Sequence, residues 1–216
     1  MVNKEQLKIL RQGKTAWDMW RMENPDEHIN LSEVDLSMGN FYGSNLKEAN
    51  FDGAKLKGAD FNRADLSNVY FIRADLHSAK LIKADLSRAD LSRADLEKAN
   101  LTEANLSEAK LIKAHFGNTE LIKADLSKAD LSKAFFIEAF LKEANFNGAD
   151  LFNAYLAEAD LSKANLGGVN PNKAILYGAN LNGANLSKAI LSKTDLSGAN
   201  LSKAILTINK DYQLQV

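Results

Sequence analysis

The sequence contains no cysteine and only two prolines, and its formal net charge is −1. The absence of cysteine excludes disulfide bonds, thiolate catalysis and cysteine-based zinc sites, and it agrees with a reducing cytoplasm, where we expect the protein to act. No apolar run approaches the roughly 20 residues of a transmembrane helix. The first five residues, MVNKE, lack the apolar stretch of a secretory signal. A near-zero net charge leaves neither a strongly basic surface for bulk nucleic-acid binding nor a strongly acidic one.

Alanine and leucine instead recur in two fixed phases with a period of five residues. Every fifth position from Leu31 to Leu206 gives 36 positions, of which 28 are leucine, seven are phenylalanine and one is Pro171. The positions two residues earlier, from Val34 to Ala204, number 35, and 28 of them are alanine. The residue between the two is usually aspartate or asparagine. The chain is therefore an array of pentads, each with a small residue, a linking residue, a central residue and two turn residues.

A five-residue period fits neither a helix nor a continuous strand. On an α-helix each step of five residues rotates by about 140°, so the leucines would wind around the whole surface. In a strand, odd steps would send alternate leucines to opposite faces. A coil that turns a corner in every pentad avoids both problems, because the small and central residues then point to the same side of a short extended segment. The pattern predicts an all-β solenoid with a narrow interior filled by leucine, phenylalanine and alanine.

The Ala-(Asp/Asn)-Leu-x-x pattern, for example ADLSR at 84–88 and ANLSK at 184–188, resembles the pentapeptide-repeat family from about Ile29 to Leu206. The resemblance implies a right-handed quadrilateral β-helix of about nine coils with four pentads per coil, a number that the five-residue period does not fix by itself. At roughly 4.8 Å per coil the rod is about 40 Å long. We count four sides from Leu31: central residues 31, 51, 71 and so on form the first side, and those from 36, 41 and 46 the second, third and fourth.

Residues 1–28 lie outside the repeat, and we predict that they form a helical cap, since a solenoid exposes strand edges and an apolar axis at its ends. One helix is expected from Glu5 to Gln12, with Gly13 as its stop. A second is expected from an N-cap at Thr15 to Glu23, ended by Asn24-Pro25. This segment resembles the helical leader of many bacterial, notably cyanobacterial, members. Its apolar contacts are predicted to come from Leu7, Leu10, Trp17 and Trp20, the alternative being an aromatic ligand site.

The predicted division is a cap (1–28), a repeat domain (29–206) and a C-terminal cap or tail (207–216). The tail loses the five-residue phase, so it either folds over the last coil or leaves an edge for a second subunit. Pro171 stands where a central leucine is expected. Because proline cannot donate a ladder hydrogen bond, we expect this coil to be locally irregular.

The second turn residues of the first side form a column of cations, which we call the basic ladder. Cations spaced about 5 Å apart could follow a polyanion. However, Asp90, Asp130 and Asp150 lie on the same side, and we favour a solvated face balanced by these carboxylates. The basic ladder consists of Arg73, Arg93, Lys113, Lys133, Lys173 and Lys193.

The linking position of the second side becomes apolar in three consecutive coils. Contiguous exposed apolar groups of this size usually mark an interaction surface. The alternative is that stacked rings stabilise the coils, as cross-strand pairs do in sheets. Both interpretations stay open, and the surface suits an unknown protein partner or a second copy of the chain. This apolar patch comprises Phe135, Ile137, Phe140, Phe152, Tyr155, Ile175 and Tyr177.

Catalysis finds little support in the sequence. His77 and His115 lie two coils apart, and neither a Ser–His–Asp arrangement nor a glycine-rich phosphate loop occurs. A filled tube also offers no concave pocket of the kind that enzymes use. The fourth-side linking column is all Asp or Asn from 45 to 185, and we expect a ladder of amides and carboxylates there. We therefore predict no enzymatic activity, no cofactor and no metal site.

Two functions follow from the resemblance. The first is a non-catalytic structural or protein-interaction scaffold. The second is a DNA-mimic regulator that binds a topoisomerase, as in family members that confer quinolone resistance. Residues 1–28 hold five cations and five anions, which leaves 22 cations and 23 anions in the rest of the chain. Because this balance cannot reproduce the phosphate array of a duplex, we favour the scaffold and disfavour both mimicry and nucleic-acid binding.

Overall fold

The structure, a computed structural model, describes residues 3–207. Two helices, α1 (Lys4–Arg11) and α2 (Lys14–Glu23), precede a long array of turns and isolated parallel bridges. Within the described residues, neither helix is long and apolar enough to cross a membrane. The predicted C-terminal segment, apart from Thr207, lies outside the described residues.

Both helices lie close to their predicted positions, but one predicted boundary was wrong. The N-cap of α2 is Gly13, not Thr15, and no side chain caps this helix. Gly13 has a φ of 99°, which lets the chain reverse between the two helices within two residues. Asn24 ends α2 as predicted, and its backbone N–H donates to the carbonyl of Trp20.

The bridges fix the number of pentads in a coil. Each bridge joins a linking residue to the linking residue 20 positions later, from Asn30↔Asn50 to Asn185↔Ile205. Four pentads therefore complete one coil, the number that the family resemblance implied. The contacts are one residue long and are separated by turns, so the sides of this solenoid are shorter than ordinary strands.

All five backbone N–H groups of a regular pentad find an acceptor. Those of the central and second turn residues donate to the next coil, that of the linking residue donates to the preceding coil, and that of the following small residue closes the turn. Around Leu86 these four bonds are 2.7 to 3.1 Å long. The fifth N–H, on Ser87, donates to Oδ1 of Asp85 at 3.0 Å. This Asx turn explains why aspartate and asparagine are preferred at the linking position.

The Asx turns also affect acidity. Hydrogen bonds from the backbone N–H and the hydroxyl of Ser37 hold the pKa of Asp35 below its ordinary value, and the hydroxyl and backbone N–H of Ser197 do the same for Asp195. A carboxyl group with a lowered pKa in the folded state stabilises the fold above its unfolded-state pKa. That contribution is lost as the pH falls through the lowered value.

Replacing Asp125 with alanine is expected to cost about 1–2 kcal/mol, because its Oδ1 accepts two hydrogen bonds. The donors are the Ser127 N–H at 3.0 Å and the Asn145 amide at 2.9 Å. Urea denaturation should show the Asp125→Ala loss, whereas Asp125→Asn, which keeps an acceptor oxygen, should be close to wild type. The control is Lys110→Ala, at a linking position without an Asx turn. Equal losses for Asp125→Ala and Lys110→Ala would contradict the assignment.

The predicted amide and carboxylate ladder on the fourth side is confirmed. The Asn105 amide donates to Asp85 at 3.0 Å, and the Asn145 amide donates to Asp125 at 2.9 Å. The column continues through Asn165 and Asn185, whose amides donate to the preceding coil at 3.0 Å. Side-chain bonds of this kind tie successive coils together outside the backbone ladder.

The second turn residue has a positive φ in every pentad. Of these 35 residues, eight are glycine and 27 are not, and the non-glycine φ angles lie between 55° and 62°. Left-handed backbone costs roughly 1–3 kcal/mol at a non-glycine residue, so the surrounding hydrogen bonds and packing must enforce it. The conformation leaves long polar side chains such as Lys113 and Lys133 exposed.

The interior is occupied by the central and small residues, as the two phases predict. From Leu46 to Leu186 almost all of them are buried. Phenylalanines in neighbouring coils stack, with the rings of Phe116 and Phe136 parallel at 4.6 Å. In the last described coil, apolar residues such as Leu196 and Leu201 are only partly buried.

The N-terminal helices supply hydrogen bonds that a preceding coil would otherwise make. The Gln6 side chain accepts the Asn30 N–H at 3.0 Å, and the Trp17 indole N–H donates to the Asn45 carbonyl at 2.7 Å. Trp17 is fully buried. The other predicted cap residues also contact the core: Leu10 is buried, and Leu7 and Trp20 are partly buried.

The coil that contains Pro171 is irregular, as predicted. The bridge expected between positions 170 and 190 is missing from the described residues, although Asn165↔Asn185 and Ile175↔Asp195 are present on either side. Thr194 occupies a small-residue position, and its hydroxyl donates to the Pro171 carbonyl at 2.8 Å. The irregularity is therefore local, and the array resumes its regular pattern directly after the proline.

Candidate functional site

The basic ladder lies on exposed second turn positions with φ angles between 59° and 62°. Asn153 replaces a cation once, between Lys133 and Lys173. Within residues 3–207, no member of the ladder lies within 4.0 Å of a carboxylate. These cations are exposed and unpaired.

The three carboxylates that were expected to balance the ladder do not pair with it. Asp90, Asp130 and Asp150 instead close Asx turns, each accepting a backbone N–H of its own turn at 3.0 Å. Because these bonds turn the carboxylates toward the backbone, the cations of the same side receive no direct partner.

Other second turn columns carry both signs of charge. On the third side Lys83 pairs with Glu103 at 3.3 Å. On the fourth side Arg88 pairs with Glu108 at 3.0 Å. In the basic ladder, by contrast, cation follows cation, and two unit charges 5 Å apart repel by about 1 kcal/mol in water. A bound anion would relieve this repulsion.

The apolar patch lies on the surface as predicted. The ring of Phe135 stacks on Tyr155 at 5.0 Å with an interplanar angle of 10°, and His115 lies 4.8 Å from Phe135 on the other side. The exposed members are Ile137, Phe140, Tyr155 and Tyr177, which are 38–53% exposed, whereas Phe135, Phe152 and Ile175 are half-buried. The Lys173 ammonium lies 5.6 Å from the centre of the Phe152 ring.

A groove of about 340 Å³ separates the basic ladder from the apolar patch. It is lined by Lys113, Lys133, Phe135, Asn153 and Tyr155. The sequence prediction of no concave surface considered only the filled interior and missed this external groove. The signal was present, because positions 113, 133 and 153 form one column and positions 135 and 155 stand in the neighbouring one.

The patch leaves backbone donors without acceptors. Asx turns are absent from four successive coils of the second side, whose linking residues are His115, Phe135, Tyr155 and Ile175. Among the described residues, the N–H groups of the corresponding first turn residues at 117, 137, 157 and 177 have no acceptor. Elsewhere such a donor is rescued: Ile72, two residues after Tyr70, donates its N–H to Asp52 at 2.9 Å. The second-side aromatics therefore stack at the expense of turn hydrogen bonds, which favours a contact surface over a purely stabilising role.

One further group combines possible metal ligands. Atoms of His77, Asp95 and Glu97 lie within 4.8 Å of one another in the described structure. Two of these residues have other partners, since Glu97 pairs with Lys98 at 3.1 Å and the Asp95 carboxylate accepts the Glu97 N–H at 2.9 Å. We assign no metal to this group.

Solved structures share this architecture. HetL, a pentapeptide repeat protein involved in heterocyst differentiation regulation from the cyanobacterium Nostoc sp. strain PCC 7120, is 31% identical, and the match covers 87% of this chain and 92% of HetL with a TM-score of 0.50. Trypsin-treated QnrB1, a plasmid-mediated fluoroquinolone resistance protein, is 21% identical, covering 84% of this chain and 86% of QnrB1 with a TM-score of 0.48. Rfr23 from the cyanobacterium Cyanothece 51142 is 32% identical over 55% of this chain and 64% of Rfr23, with a TM-score of 0.23.

A family comparison covers nearly the whole repeat. No curated protein matches the chain. The family described as pentapeptide repeats matches in eight copies, and the matched residues are 29–68, 70–107, 99–136, 132–168, 154–192 and 172–207. The match coincides with the bridged coils and leaves out α1 and α2. This chain belongs to the pentapeptide-repeat family.

Proposed function

We propose that the protein is a non-catalytic scaffold that binds a protein partner along the edge between its first and second sides. The observation that carries this proposal is the apolar patch, which occupies four successive coils in which Asx turns are absent. The unpaired cations of the basic ladder run parallel to it. The proposal includes the right-handed winding that the family implies.

A DNA-mimic role has less support. A mimic of duplex DNA presents a dense array of negative charge. The first side of this rod instead carries an unpaired row of cations, and anions on the third and fourth sides pair with cations of adjacent coils. The scaffold interpretation uses both the cations and the apolar patch.

Replacing Phe135 and Tyr155 with glutamate is expected to reduce partner capture at least tenfold, because two carboxylates would replace the stacked rings. The measurement is affinity capture from native cell extract with quantitative mass spectrometry, together with light scattering for self-association. The matched control is Met38→Glu/Tyr42→Glu, which changes the charge equally at exposed apolar residues far from the patch. Unchanged capture and unchanged mass in the patch variant would rule out this surface as the binding site.

A further inference from the structure

The groove is bordered by two parallel rows with the same repeat. Along the apolar row, successive ring centres are 4.8 Å apart from His115 to Phe135 and 5.0 Å apart from Phe135 to Tyr155. The basic ladder rises by the same coil spacing, with Lys113 and Lys133 on the groove itself. A ligand that fills both rows must therefore present an anionic group and an apolar group about every 5 Å.

An α-helix has nearly this repeat. Its pitch is 5.4 Å, so one side chain per turn on a given face falls beside each coil, with a drift of about 2 Å over four coils. Flexible lysine side chains can absorb that drift. An extended peptide repeats its face every 6.6–6.8 Å and would drift by about 7 Å over the same distance, which is more than one coil. The phosphates of duplex DNA wind around their axis and do not form one straight row.

The chemistry of the two rows specifies the faces of such a helix. Carboxylates at intervals of three and four residues would meet the unpaired ammonium groups and remove the repulsion between stacked cations. An adjacent apolar stripe would meet Phe135, Tyr155 and Ile175. Two neighbouring stripes, one acidic and one apolar, are the pattern of an amphipathic helix.

We propose that the protein partner presents an acidic amphipathic α-helix, which lies parallel to the rod axis in the groove between the basic ladder and the apolar patch. This inference rests on the scaffold function proposed above. The coils from Lys113 to Lys193 span four intervals of roughly 4.8 Å, which corresponds to a helix of about 13–14 residues. Its side chains enter the groove, and Asn153 offers an uncharged hydrogen-bonding group midway.

The experiment measures fluorescence anisotropy of three labelled probes on the full-length protein. The first is a 21-residue capped peptide with glutamate and leucine in adjacent helical stripes. The second has the same composition, except that two central residues are proline, so that it keeps the charge but cannot form the helix. The third is a single-stranded 20-nucleotide DNA. The helical peptide is expected to bind at least tenfold more tightly than either of the others at 150 mM salt.

Variants locate the binding surface. Lys113→Glu/Lys133→Glu is expected to weaken binding of the helical peptide at least tenfold. The matched control is Lys128→Glu/Lys163→Glu, which makes the same charge change at second turn positions with φ of 58° on other sides of the rod. The control is expected to change affinity less than threefold, and circular dichroism would confirm that both variants are folded.

Several results would overturn the inference: equal binding of the two peptides, tighter binding of the DNA, no binding of any probe, or an equal loss in both lysine variants. If the peptides behave in one of these ways while partner capture still depends on Phe135 and Tyr155, the scaffold function stands and the helical ligand is wrong. Loss of both dependences would overturn the two proposals together.

Discussion

Replacement of Trp17 by alanine is expected to lower the free energy of unfolding by about 3–5 kcal/mol, the range for truncating a large buried aromatic residue. Trp17 is fully buried, and its indole N–H donates to the Asn45 carbonyl at 2.7 Å. In later coils the equivalent carbonyl accepts from the coil before it, as Asp65 does from Leu46 at 2.8 Å. The variant therefore opens a cavity and leaves a carbonyl of the first coil without its donor. Urea and thermal denaturation measure the loss.

Two further variants separate the contributions of Trp17. Trp17→Phe keeps much of the ring volume but removes the donor, so about 1–3 kcal/mol of the loss should remain. Trp20→Ala should cost less than Trp17→Ala, since Trp20 is only half-buried and lies 5.1 Å from the Trp17 ring. If Trp17→Ala and Trp20→Ala were equally destabilising, the specific contact with the first coil would be disproved.

The second large effect is expected from Phe136→Ala in the middle of the rod, again about 3–5 kcal/mol. The Phe136 ring is fully buried, stacks on Phe116 at 4.6 Å and meets the edge of Phe146 at 6.4 Å. Coils make most of their contacts with their immediate neighbours, so a cavity in a central coil weakens two interfaces between coils.

The control for Phe136 is four residues away. Phe140→Ala is the same substitution at a linking residue that is 48% exposed, and we expect it to change stability by less than about 1 kcal/mol. Chemical denaturation of the two variants gives the comparison. Similar losses would show that the five-residue phase does not separate the interior from the surface at this point.

The interior was predictable because a single repeat determines it. Phe135 and Phe136 are adjacent and chemically identical, yet their positions in the pentad assign one to the surface and the other to the core. The number of sides was not predictable from the same repeat, because the period describes one corner and not the closure of the coil. Closure follows from contacts 20 residues apart, such as Asp65↔Asp85.

Other features escaped the sequence because they depend on the direction of a side chain. Asp90 and Asp130 have the right charge and position to balance the basic ladder, but each carboxylate turns back to accept a backbone N–H. Thr15 is a favourable N-cap residue, but Gly13 takes that role because only its positive φ allows the tight reversal between α1 and α2. The groove arises where two columns meet at a corner, so neither column indicates it alone.

The four-pentad coil makes position along the chain an angular coordinate as well as an axial one. Adding or removing one pentad turns everything downstream by a quarter revolution, so Lys173 and Lys193 would leave the azimuth of Lys113. Adding or removing 20 residues changes the length of the rod and leaves every azimuth unchanged. A recognition edge several coils long therefore tolerates length variation only in whole revolutions, whereas the interior accepts any whole number of pentads.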